Sequence, residues 1–124
     1  MPTRILKRDE VAQKLREWHT GHLSSEDLLQ WADRLYPSDD VDYEDWEGDD
    51  STTMEVLAAL DMLDMNLALP EDAPIYLDFL LTPVGQFQEG HAKYKEALER
   101  IDYATRRTTL KNVPLYAPYL QHLG

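Results

Sequence analysis

Hydrophobic positions recur at helical spacing along most of the chain, and the densest run is STTMEVLAALDMLDMNLAL, residues 51–69. Val56, Leu60, Leu63 and Leu67 form one stripe. Met54, Ala58, Met62, Met65 and Leu69 form a second, roughly 160° away at about 100° per residue. Beyond the opening turn, only Asp61, Asp64 and Asn66 interrupt the run with polar side chains. A helix that is apolar on two sides must be buried on two sides. The pattern therefore predicts a central buried helix over 51–69, opened by Thr52 and Glu55 as a capping box.

The other elements are read around it. Val11, Leu15 and Trp18 predict a helix over Asp9–Thr20 that Gly21 ends and that Ile5 and Leu6 extend by a turn. Ser24, with Asp27 three residues on, caps a second helix carrying Leu28, Leu29, Trp31, Ala32 and Leu35 as far as Tyr36, before Pro37. After Pro70 a shorter helix runs from Asp72 or Ala73 to Leu81, with Ile75, Leu77, Phe79, Leu80 and Leu81 expected inside. Residues 86–107 read as one long surface helix with a seam of Phe87, His91, Tyr94, Leu98, Ile101 and Thr105. Its outer face carries the pairs Glu89–Lys93, Glu96–Arg100, Lys95–Glu99 and Asp102–Arg106. The prolines of residues 108–124 predict an extended tail laid across the bundle. No strand is expected. The fold class is all-α: one domain, residues 1–124, of about five helices around the central one.

Charge changes this picture. Residues 21–85 hold seventeen carboxylates against the single cation Arg34, a net of −16, while the segments on either side are each +2. Eight of those carboxylates fall in Ser38–Asp50. That density predicts a solvated acidic loop over 37–50. Binding to nucleic acid is disfavoured, because it works through Lys and Arg displacing counterions from phosphates. A basic protein partner is favoured by the same electrostatics. Asp39, Asp40, Asp42, Glu44, Asp45, Glu47, Asp49 and Asp50 would meet its cations, and Tyr43 and Trp46, with Val41, would supply anchor area. The competing account is a solvated linker whose aromatics pack onto the domain.

Other chemistry is sparse. There is no cysteine, so disulfides and thiolate sites are excluded. The acidic loop fails the EF-hand pattern: counted from Asp40 the sixth residue is Asp45, and placing Gly48 sixth makes the first residue Tyr43. His19 and His22 flank Gly21, His91 lies on an apolar seam, and His122 is in the tail, so no metal or cofactor is expected. Asp61 and Asp64 share one side of the central helix. Paired carboxylates serve acid–base chemistry when burial separates their pKa values, but a solvent-facing strip is the simpler account, and no enzyme is expected. Met54, Met62 and Met65 would make either an adaptable groove or core filling. No segment reaches the ~18 apolar residues of a membrane span, from which a soluble, cytoplasmic protein is expected.

The segment Trp18-x-x-Gly21-x-Leu23-Ser24-x-Glu26-x-Leu28-x-x-Trp31-Ala32, in an acidic helical chain of this size, resembles small bacterial immunity proteins. The type is the colicin-D-immunity-like kind found beside bacteriocins and contact-dependent inhibition toxins. The resemblance covers residues 8–36, and no family residue carries over by position. It implies a non-catalytic protein that blocks a basic, nuclease-like toxin with an acidic face. Two alternatives stand beside it. One is a helical adaptor using the methionines or Tyr116 and Tyr119. The other is an enzyme using Asp61, Asp64 and a histidine.

Overall fold

The computed structural model describes residues 4–120, and those residues are mostly helical. The chain enters as a short strand, β1 (Arg4–Leu6), followed by α1 (Arg8–His19) and α2 (Ser25–Leu35). It then returns as β2 (Val41–Tyr43), which pairs in parallel with β1 in the register Arg4↔Val41, Ile5↔Asp42, Leu6↔Tyr43. Side chains alternate across a strand. Leu6 and Tyr43 therefore share the buried face, while Ile5 and Asp42 share the outer one. This ribbon was not expected from the sequence; Ile5 and Leu6 belong to it and not to an extension of α1.

α1 and α2 otherwise follow the sequence pattern. Ser24 accepts from the Asp27 N–H at 3.1 Å, and Gly21 takes the left-handed conformation (φ 86°) at the end of α1. Trp18, fully buried, donates its ring N–H to Ser25 at 2.9 Å, which ties the two helices.

The central helix is shorter than the apolar run predicts. α3 spans Thr52–Asp61, and residues 62–67 continue as turns. The cap is shifted by one residue: Ser51 accepts from the Met54 N–H at 3.1 Å. The turns end the helix through local bonds, Asp64 accepting from Met65 N–H at 2.8 Å and Leu67 adopting φ 54°. Val56, Leu60, Leu63 and Leu67 are buried as expected, but the second stripe is not. Met54, Ala58 and Leu69 are half-buried, while Met62 and Met65 are exposed. Burial on α3 runs instead through Thr53, Val56, Leu57 and Leu60, against α1, α2 and α4.

A 3-10 turn (Pro70–Asp72) leads into α4 (Ala73–Leu80). Tyr76, Phe79 and Leu80 point inward and Leu81 is exposed. The long last helix is two: α5 (Phe87–Glu99) and α6 (Tyr103–Thr109). Asp102 makes the break by capping α6, accepting from Thr105 N–H at 3.0 Å and Thr105 Oγ1 at 2.6 Å. Of the outer-face pairs, Glu96–Arg100 forms, whereas Arg106 turns inward to Asp72. Residues 110–120 are turns and a 3-10 turn (Ala117–Tyr119), not an extended strap. Tyr116 is buried there and donates to the Ala68 carbonyl at 2.5 Å. The remainder of the expected tail, residues 121–124, lies outside the described residues.

Candidate functional site

The acidic segment is not simply a solvated loop, because three of its eight carboxylates, Glu44, Asp45 and Glu47, go to helix starts. A helix N-terminus offers unpaired N–H groups and a partial positive charge, so a carboxylate placed there is stabilised twice. Glu44 accepts from the N–H of Arg8, the first residue of α1, at 2.9 Å. Glu47 accepts from Gly85 and Phe87 N–H at 3.1 and 3.0 Å, at the start of α5. Asp45 is buried against the start of α3. It accepts from the hydroxyls of Ser51, Thr52 and Thr53 at 2.5, 2.8 and 2.9 Å, and from Arg8 Nε and Nη2 at 3.2 and 3.1 Å. Burial alone would raise its pKa; the hydrogen bonds from Ser51, Thr52, Thr53 and Arg8 outweigh that and hold the carboxyl below its ordinary value. One segment thereby fastens α1, α3 and α5. The signal available in the sequence was Ser51-Thr52-Thr53, three hydroxyls directly after a carboxylate-rich stretch. Arg8 left none.

The ten residues expected to meet a partner are thus divided. Tyr43 and Asp45 are buried, and Glu44 and Glu47 are bonded within the chain. Asp42 accepts from Trp46 Nε1 at 2.7 Å and from Tyr43 N–H at 2.8 Å, and these bonds, the Trp46 one foremost, lower its pKa. Asp39, Asp40 and Asp49 are exposed, and Asp50 is half-buried. Trp46 is 41% exposed and stands edge-on to Tyr43. Ile5, on the same outer face as Asp42, is 57% exposed. The outward surface is therefore an apolar pair, Ile5 and Trp46, with Asp42 between them and further carboxylates nearby in the chain.

A second acidic group lies between α2 and the end of α3. Asp33, Asp61 and Asp64 line a cleft of about 340 Å³ together with Met65 and Tyr119. Asp61 Oδ1 is buried with no hydrogen-bond partner among the described residues. Burial, then a hydrogen bond shared with Asp33, then the charges of Asp33 and Asp64 push Asp61 up to about 6. Asp61 is thus not part of a simple solvent-facing strip, and Asp33 had no sequence signal pairing it with α3. No histidine among the described residues lines this cleft. Among the described residues, no group of three or more histidines and carboxylates could hold a metal. His19 and His22 are exposed, His91 stacks on Phe87 at 5.5 Å, and His122 lies outside the described residues.

A third feature is a cleft of about 300 Å³ walled by Tyr76, Tyr94 and Leu98 on α4 and α5, Tyr103 and Arg107 on α6, and the turn at Met65–Leu67. Arg106 braces that turn from α6. It binds Asp72 through both terminal nitrogens, at 2.6 and 2.7 Å, and the Leu67 carbonyl at 3.0 Å. The Asp72 hydrogen bond is the main cause that raises the Arg106 pKa.

No helix among the described residues is long and apolar enough to cross a membrane. No protein-family model, characterised protein or solved structure matches the chain.

Proposed function

We propose that this chain is a non-catalytic binding module for a basic protein. The reading rests on one observation: Trp46 and Ile5 stand exposed around Asp42, on the most acidic part of a chain of net charge −12. Isolated exposed apolar residues need no explanation. A tryptophan held in place by a carboxylate, beside a second large apolar side chain and within a strongly negative field, has the composition of an interface anchor. The field steers a cationic partner, and Trp46 and Ile5 provide the desolvated centre. The most concrete form of this reading is an immunity protein that covers the cationic cleft of a nuclease-like toxin, as the resemblance of residues 8–36 implies. A second reading, a helical adaptor, draws support from Met62, Met65 and Tyr119, which are all substantially exposed.

The test is affinity capture from the source organism with the full chain as bait, run beside Trp46→Ala and Met65→Ala baits. The reading expects one basic protein that resists moderate salt on the parent and Met65→Ala baits and is lost from Trp46→Ala. Loss from Met65→Ala alone would favour the adaptor. Scattered basic proteins eluting at low salt from all three baits would overturn both.

A further inference from the structure

The tyrosine cleft carries an inference independent of the acidic segment. Tyr76 is 3% exposed as a residue, and its hydroxyl makes no hydrogen bond among the described residues. It lines the cleft, so a group inside the cleft can supply a partner. Tyr94 and Tyr103 line the same cleft, and their hydroxyls likewise make no hydrogen bond among the described residues.

Charge selects what that group is. Arg106 is fully engaged by Asp72, with Glu71 at 3.5 Å. Arg107, its neighbour at the cleft, makes no ion pair among the described residues. Asp102 feels its charge, but both Asp102 oxygens are bonded to Thr105. Burial pushes Tyr76 and Tyr94 up in pKa, so both stay neutral donors at physiological pH. The wall between them is pre-set. Leu67 holds φ 54°, a left-handed conformation that is strained for a non-glycine residue, and Arg106 bonds its carbonyl there. Strain of this kind collects at ligand sites, and a wall fixed beforehand lowers the entropy lost on binding.

We propose that this cleft binds a small planar carboxylate, with its anionic end on Arg107 and its flat body among Tyr76, Tyr94, Tyr103 and Leu98. Phenol donors and a guanidinium favour an anion over a cation. Aromatic walls favour a flat apolar body. The cleft volume lies at the small end of ligand sites.

The experiment is a titration of the full chain, followed by amide NMR, with benzoate, cinnamate and naphthoate as probes and the neutral naphthamide as control. The variants are Arg107→Gln, at an exposed position, and Tyr76→Phe, which keeps the ring; Arg100→Gln serves as a charge-matched control away from the cleft. The expected result is saturable shifts at Leu67, Leu98 and Tyr103 with at least one carboxylate. Binding should weaken about tenfold in Arg107→Gln and about tenfold for the amide, as loss of a charged hydrogen bond implies. Tyr76→Phe should weaken binding severalfold and Arg100→Gln should leave it unchanged. Three results would overturn the proposal: no saturable shifts with any probe, shifts centred elsewhere, or equal binding by Arg107→Gln or by the neutral amide.

Discussion

Glu47 and Phe87 stand forty residues apart in the chain, and the Glu47 carboxylate accepts the Phe87 N–H at 3.0 Å. The same oxygen takes the Gly85 N–H at 3.1 Å, so one side chain from the acidic segment closes the start of α5. α5 has no capping side chain of its own at Gln86. Glu47→Ala should therefore cost about 1 kcal/mol, the usual value of a lost cap, and Glu47→Gln less, since an amide oxygen still accepts. Hydrogen exchange locates the effect. Phe87 N–H should exchange faster in Glu47→Ala, while the amides of α1 and α2 keep their parent rates. Unchanged Phe87 exchange would show that the bond does not hold the helix start.

Asp45 makes a larger demand on the fold. Its carboxylate collects three hydroxyls and the Arg8 guanidinium in a buried position. Asp45→Asn keeps the shape but removes the charge and one acceptor, which strands Arg8 and at least one hydroxyl. Breaking a buried pair by removing one partner costs about 3 kcal/mol or more. Urea unfolding should read a loss of about that size for Asp45→Asn, against well under 1 kcal/mol for the exposed Asp49→Asn. Similar losses for the two would contradict the assignment of Asp45 as a structural group.

These two carboxylates show where sequence reading reached its limit. α1, α2 and α4 were legible because their signals are local: Ser24 capping Asp27, Gly21 past the end of α1, and Pro70 ahead of α4. The acidic segment was misread because charge density argues for solvation unless counter-groups exist. Here the counter-groups are N–H dipoles and hydroxyls at helix starts, some of them 36 to 40 residues away in sequence. α3 was overextended for a related reason. Leu63 and Leu67 bury equally well from a turn, so apolar spacing did not register the end of the helix. The Asp102 cap was readable in principle, as an Asp three residues before Thr105, but the i,i+4 pairing Asp102–Arg106 pointed the other way. The candidate sites fared worst. The juxtaposition of Asp33 with Asp61, and of Tyr76 with Arg107, depends on how separate helices pack, which no local pattern encodes.

Asp61 gives the pH dependence its sign. Its carboxyl is pushed from an ordinary 3.8 up to about 6, chiefly by burial, then by Asp33 and Asp64. The folded state therefore holds a proton that the unfolded chain releases, and stability falls as pH rises from about 3.8 to about 6. Asp45 has the opposite sign: its carboxyl lies below the ordinary value, so its contribution is lost only as pH drops beneath the normal carboxylate range. Asp61→Asn should raise the melting temperature at pH 7 and flatten the decline between pH 4 and 6, leaving the acid limb in place. An Asp61→Asn curve parallel to the parent across that window would show that the Asp33–Asp61 contact carries no proton.

Gly90 sets two opposing effects against each other. It sits in the first half of α5, where alanine would improve helix propensity by about 1 kcal/mol. A Cβ at this position, however, would lie 2.3 Å from Thr82 Oγ1, 2.6 Å from its Cγ2 and 2.9 Å from its Cβ. Thr82 is buried and β-branched, so it has few rotamers into which to retreat. Overpacking of this kind costs about 1–3 kcal/mol, and three contacts this short put Gly90→Ala at the upper end. The net expectation is a loss of about 1–2 kcal/mol after the propensity gain is subtracted. Thr82→Ala removes two of the three obstructing atoms, so in its background Gly90→Ala should become neutral or stabilising. A double-mutant cycle by urea unfolding measures this directly, as a favourable coupling of at least about 1 kcal/mol between the two positions. Stabilisation by Gly90→Ala in the parent would mean that α4 and α5 separate at little cost, and that the approach of Gly90 to Thr82 does not fix their packing.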